Sequence, residues 1–183
     1  MDFYIIFGGV IEQTFGNRLL NALNAATQRQ ARKIIILFSS LGGNTQEGFT
    51  LATVIRNCPT PIAIHATNNI DSIANVIYLS AKERTAESYA KFYVHGANTT
   101  GTFDEKQLRE QALAVKTETA RIAYYISENC NLSLPRVQGM MAAGTSLTAQ
   151  EALQHGIVQS ITHIDVPKIA LPGVMREDIV FIN

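Results

Sequence analysis

The sequence predicts an α/β domain, and three observations carry that prediction. Short apolar, β-branched runs alternate along the chain with longer segments of helical periodicity. The runs at residues 3–7, 34–38 and 62–66 are apolar almost without interruption, the pattern of strands covered on both faces. The helical segments between them are long enough to be crossover connections, so parallel strand pairing is expected.

The first run has no basic flank and no small-residue cleavage site, so it reads as a strand and not as a secretory signal. From Thr14 to about Arg29, Phe15, Leu19, Leu23 and Ala26 recur at steps of four and three, which predicts an amphipathic helix. The second strand, 34–38, leads into the loop Ser39-Ser40-Leu41-Gly42-Gly43-Asn44 and a helix to about Asn57. Cys58-Pro59-Thr60-Pro61 ends that helix, because proline lacks an N–H and restricts the residue before it. The third strand, 62–66, meets a polar turn, Thr67-Asn68-Asn69, and a helix is expected from about Ser72 to Ala81. A short strand ends at His95. Residues 104–130 form the longest predicted element, with Leu108, Ala112, Val115, Thr119, Ile122 and Ile126 on one stripe. At the rise of an α-helix it is about 40 Å long, more than a core of this size needs, so part of it should project and pack on something else. Ser133 and Thr148 read as N-caps of short helices, Gly156 as a stop, and 157–161 as the last core strand. Residues 1–165 are expected to form one domain, and 166–183 a C-terminal tail with two prolines and an apolar end.

Composition narrows the function classes. Hydrophobic residues make up 46% of the 183, and mean hydropathy is +0.07, which excludes disorder as the main state. Charged residues reach only 16%, against about 25% in ordinary domains. Some surface should therefore be covered, most simply by copies of the chain. Net charge is +0, so no nucleic-acid footprint is expected. No apolar run approaches the roughly 18–20 residues of a membrane span. Cys58 and Cys130 stand far apart without a CxxC pair, which points away from a disulfide scaffold or a zinc site and toward reduced thiols in a cytoplasmic setting.

Two places could carry chemistry. Ser40-Leu41-Gly42-Gly43 directly follows a buried strand, and its glycines free backbone N–H groups to face a developing oxyanion. An ordinary strand-to-helix turn uses glycine as readily. The loop is neither a Walker loop nor GxGxxG, and no cofactor or metal is expected. Asn69-Ile70-Asp71-Ser72-Ile73-Ala74 marks a strand entering a helix. A serine there can be a nucleophile or an N-cap, and the residues alone favour the cap, a role Asp71 or Asn69 could also fill. His65, His155 and His163 read as structural. Lys82 is a poor base for Ser72, since helical geometry points it away. Met140-Met141 reads as core filling.

The order of these pieces resembles the ClpP family, the proteolytic subunits of Clp protease, over about residues 3–162. Phe7-Gly8-Gly9 follows the first strand, and Ser40-Leu41-Gly42-Gly43 is similar to the family's Ser-Pro-Gly-Gly. The most specific piece is Leu147-Thr148-Ala149-Gln150-Glu151-Ala152-Leu153-Gln154-His155-Gly156-Ile157-Val158, which resembles the family's terminal signature. The resemblance implies a ClpP/crotonase-like core of repeated β-β-α units wound as a superhelix, with 104–130 as a projecting handle helix. It places the catalytic serine on Ser72, the histidine on His95, and the oxyanion N–H groups on Gly42 and Ile73. It implies a serine endopeptidase acting on peptides or unfolded protein inside a homo-oligomeric chamber, heptameric or of two rings. An ATPase or a second ClpP-like subunit would be a further partner; nucleic acid and membrane would not.

Three departures bear on activity. Gly144 falls where the family has its third catalytic residue, an aspartate, and an orienting carboxylate matters by orders of magnitude in rate. Asn68, Asn69, Ile70 and Asp71 replace the glycine and small residues before the nucleophile, and a carboxylate there opposes the charge of a tetrahedral intermediate. The chain also begins at the first strand, without the family's axial segment, which predicts no ordinary ATPase docking. Two readings stand: a Ser72–His95 peptidase, and a catalytically inactive structural or regulatory subunit. A crotonase-like acyl-CoA enzyme is disfavoured, because the Gly-rich second loop of crotonases is missing.

Overall fold

The computed structural model describes residues 1–165 and 179–182. In chain order the elements are β1 (Asp2–Gly8), α1 (Gln13–Gln28), β2 (Lys33–Ser40), α2 (Thr45–Asn57), β3 (Ile62–Asp71), α3 (Ala74–Ser80), β4 (Glu83–Ala86), β5 (Lys91–Val94), α4 (Glu105–Glu128), α5 (Leu134–Ala143), β6 (Thr145–Thr148), α6 (Ala149–Gln154), β7 (Ser160–Ile161) and β8 (Ile179–Ile182). The sheet runs β6-β5-β3-β2-β1-β8, with β4 on β3 and β7 on β4. All these pairs are parallel except β5–β6, which is antiparallel. The molecule is thus a mixed α/β fold.

The strand β3 is the organising element. Its first half, Ala63 to Ala66, pairs with β4, and its last residues, Asn69 to Asp71, pair with β5. The stretch Thr67-Asn68-Asn69 is not the turn that its composition predicts. Polar side chains stitch it to β2 instead: Thr67 Oγ1 donates to Phe38 O (3.3 Å) and Ser39 Oγ to Asn69 O (3.3 Å), across a register shift between Phe38 and Ser40. These bonds satisfy a locally irregular ladder, so context overrides the low strand propensity of asparagine. The strand therefore continues to Asp71, and α3 begins two residues later than expected.

β4 and β6 escape a reading of apolar runs because they are four-residue polar segments, ERTA and TSLT. Ile157 and Val158 are buried, but only Ser160–Ile161 of the expected last strand pairs. The apolar end of the predicted tail forms β8 against β1, from Tyr4↔Ile179 to Phe7↔Ile182. Pro167 and Pro172 of that tail lie outside the described residues.

The core is one cluster. Phe7 stands between Phe15 (4.2 Å) and Phe38 (5.1 Å), and every residue of α3 is buried. On α4 only the C-terminal half docks. Ile122, Ala123 and Ile126 are buried, Phe49 of α2 meets Tyr125 edge-on, and the Arg121 guanidinium lies 4.0 Å over Phe49. The N-terminal half exposes Leu108 (59%) and Leu113 (67%). No helix among the described residues is long and apolar enough to cross a membrane. Cys58 and Cys130 are half-buried free thiols.

Candidate active site

Where β3 parts from β4 to pair with β5, its C-terminal end is held from two sides, and Ser72 follows at once. Ser72 has φ +57°, in the left-handed region. For a residue with a Cβ this conformation costs about 1–2 kcal/mol. The surroundings impose it. Ser72 N–H donates to Tyr93 O on β5 (2.9 Å), and its carbonyl accepts from Asn75 N (3.1 Å) and Asn75 Nδ2 (3.1 Å). The same Asn75 amide reaches Ile70 O (3.1 Å) and Tyr93 O (3.0 Å), while its Oδ1 is buried without a partner. Asn75 thus ties together the end of β3, the turn and β5. Sequence reasoning missed it. The available signal was an amide inside Ala74-Asn75-Val76-Ile77-Tyr78-Leu79, a segment otherwise apolar.

The cap that the residues alone favour at Ser72 is not formed. Ile73 occupies the N-cap position of α3, and no side chain caps it. The left-handed turn carries Ser72 out of capping geometry. Ile73 is buried, its side chain over Gly48 of α2, where an added Cβ would overlap it.

Gly42 lies against the serine. A Cβ added there would come 2.7 Å from Ser72 Cβ and 3.0 Å from Asp71 O, and its φ is +99°, so glycine is required twice over. Its N–H donates to Ser40 Oγ (3.1 Å), and that hydroxyl donates to Gly9 O (2.6 Å). The donor expected for an oxyanion is therefore engaged within its own loop.

His95 follows β5. Its ring stacks on Tyr93, with centroids 4.8 Å apart and planes 25° apart, and no hydrogen bond joins it to Ser72. Asp71 pairs in register with Tyr93. Burial pushes its carboxyl pKa up, opposed by Lys91, the Tyr93 backbone N–H, Asn69 and His95. Gly144 ends α5 at φ +65°, and a Cβ there would lie 2.9 Å from Tyr93 Oη.

The fork thus gathers Ser72, Gly42 and Ile73 around one turn and sets His95 two residues beyond the strand position paired with Asp71. The other candidates lie elsewhere. His65 is buried, with Nδ1 2.7 Å from Thr85 Oγ1 and Nε2 3.3 Å from Glu87 Oε1, and His163 Nδ1 is 2.8 Å from that same oxygen. His155 ends α6, and Lys82 is an exposed residue past the far end of α3. Met140 and Met141 are core residues.

The sequence model of the Clp protease family matches residues 1–165. Among solved structures, a ClpP1 mutant from Listeria monocytogenes superposes with a TM-score of 0.78 at 20% sequence identity, covering 88% of this chain and 91% of that one. At that identity the likeness speaks for the fold. No curated protein sequence matches the chain.

Proposed function

The chain belongs to the Clp protease family, and on that premise we propose that it is a ClpP-like serine peptidase subunit working through a Ser72–His95 dyad. Ser72 Oγ attacks the peptide carbonyl carbon while His95 accepts its proton. The C–N bond then breaks, His95 returns the proton to the leaving amine, and water hydrolyses the acyl-enzyme by the same route. The N–H groups of Ile73 and Gly42 face the oxyanion, the latter once its bond to Ser40 Oγ is released or shared. No cofactor enters this chemistry.

One observation carries the reading: a serine held at φ +57° at a strand-to-helix turn. An unstrained cap would not require such a conformation, and strain of this kind gathers at nucleophile turns. Self-assembly into a chamber, of seven subunits per ring or of two rings, is proposed through the exposed face of α4, where Leu108, Leu113 and Tyr124 stand in solvent. Peptides or unfolded protein are the proposed substrates, an ATPase or a second ClpP-like subunit the proposed partner, and the cytoplasm the proposed location.

A second reading, a catalytically inactive assembly subunit, is favoured by Gly144 and by the missing Ser72–His95 hydrogen bond. A fluorophosphonate probe read by intact mass decides between them. Labelling of the wild type that is lost in both Ser72→Ala and His95→Ala establishes the activated serine. An assembled, folded oligomer that takes no label establishes the inactive subunit.

A further inference from the structure

If a catalytic histidine has lost its carboxylate partner, something else must fix the imidazole, and the structure shows what stands in that place. β5 lies antiparallel to β6, with Tyr93 opposite Ser146 and Val94 opposite Thr145, so His95 and Gly144 are the residues that adjoin the last pair of this ladder. The space over Gly144 is occupied: its missing Cβ would meet Tyr93 Oη at 2.9 Å and Cζ at 3.7 Å. The body of the same tyrosine ring stacks on His95 at 4.8 Å. The backbone carbonyl of Tyr93 accepts from both Ser72 N (2.9 Å) and Asn75 Nδ2 (3.0 Å). One residue therefore touches the serine turn with its main chain, the imidazole with its ring, and the vacated carboxylate position with its hydroxyl.

We propose that Tyr93 is the positioning residue for His95, setting the plane of its imidazole by stacking, and that Tyr93 fills the space over Gly144, a position whose left-handed φ of +65° favours glycine in its own right. This rests on the dyad reading only for its catalytic consequence. The geometric claim stands by itself. A stack fixes the plane of a ring but leaves rotation within that plane free, whereas an in-plane carboxylate also selects the tautomer. The dyad is thus held by packing where a triad would be held by a hydrogen bond. Placing an acid at 144 alone should harm the site, because φ +65° strains any side chain there and its first atom meets the tyrosine hydroxyl.

The test uses the full chain with its histidines labelled at Cε1; the sequence has four, so the spectrum is simple. His95→Gln assigns the His95 signal. Stacking predicts that this signal is shifted upfield by the tyrosine ring current. Tyr93→Phe should retain that shift and Tyr93→Leu should abolish it. Gly144→Ala should move the signal, and Gly144→Ala with Tyr93→Phe should return it toward its original place, because the backbone strain of alanine at φ +65° is common to both variants and only the hydroxyl contact differs, leaving ordinary contacts of 3.7 and 3.8 Å to the added methyl. That suppression decides the matter even if Tyr93→Leu fails to fold. An unshifted wild-type signal, or a shift indifferent to both Tyr93→Leu and Gly144→Ala, overturns the proposal. Probe labelling is read in parallel. Losing one aromatic contact should slow labelling of Tyr93→Leu by about tenfold. A wild type that takes no label but shows the ring-current pattern overturns the dyad and leaves the positioning role of Tyr93 standing. A labelled wild type without the pattern does the reverse.

Discussion

The serine turn and the projecting half of α4 are built on opposite plans. At the turn, polar groups lie inside the protein and are pinned by bonds from separate elements. Asn75 of α3 reaches three carbonyls on β3, the turn and β5, and Gly42 of the preceding loop fits against Ser72 with no room for a methyl group. On the first half of α4, apolar groups lie outside. Leu108 and Leu113 are largely exposed, and the devices that hold the segment are its own: an Asp104–Gln107 capping box and the ion pair of Lys106 with Glu110 (3.8 Å). Exposed pairs of this kind contribute little, about 0.3–0.5 kcal/mol. The turn is over-determined from within, while the first half of the helix leaves apolar side chains that no described element covers. The geometry that strains the serine is thus fixed by the chain itself, whereas the face proposed for assembly is not.

The largest effect is expected from Asn75→Ala. Removing an amide that serves three buried carbonyls should cost about 2–3 kcal/mol, which lowers Tm by about 4–12 °C in a chain of this length. Scanning calorimetry measures it. A fall under about 2 °C would mean that the turn is held by other means. Any probe labelling of Ser72 should fall further than stability does, since the left-handed turn loses its anchor.

A smaller effect is expected beside the fork, where β3 carries His65 and Glu87 directly follows β4. Burial holds the His65 pKa below the ordinary histidine value, against the raising influence of Glu87. A folded-state value below the unfolded one means that the unfolded chain takes up the proton first. Stability is then present above about pH 6.5 and falls as pH drops through and below that value. The Glu87 carboxyl is pushed up by burial, but hydrogen bonds from His163 and His65 outweigh this and leave it net lowered. Its contribution is present above about pH 4.5 and is lost only on further acidification. Thermal melts between pH 7.5 and 5.5 should therefore show a declining Tm, and His65→Gln should flatten the decline. An unchanged slope in that variant would assign the pH dependence to other groups.

The smallest global effect is expected from Asp104→Ala. Losing the N-cap costs about 1 kcal/mol at the helix end, but little of the core depends on that end. Tm should move by less than about 3 °C, while amide exchange over residues 105–112 should rise clearly. A large drop in Tm would show that the projecting half is already part of the cooperative fold.

The roles proposed for Ser72, His95, Gly42 and Ile73 come only through resemblance, but the local features that hold them are legible in the sequence. A glycine loop after a buried strand, a serine before a helix and a histidine at the end of a short strand are recoverable from periodicity and residue type. So are the buried strands 3–7, 34–38 and 62–66, and the long stripe on 104–130, because alternation and helical repeat are properties of neighbours in sequence. The functional assignment came through resemblance, above all through the signature at 147–158.

The remaining features depend on residues distant in sequence. That Thr67-Asn68-Asn69 continues a strand follows from hydrogen bonds with β2, which no local propensity contains. That Ser72 is left-handed and caps nothing follows from Tyr93 and Asn75 pulling on its two peptide groups. That Ser40 Oγ is anchored on Gly9 O, and that Tyr93 fills the space over Gly144, are facts of packing across strands. Sequence determined which segments are buried, because burial follows from hydrophobicity and period. Structure determined which backbone groups and rings meet, because that is set by register, and register is a relation between strands.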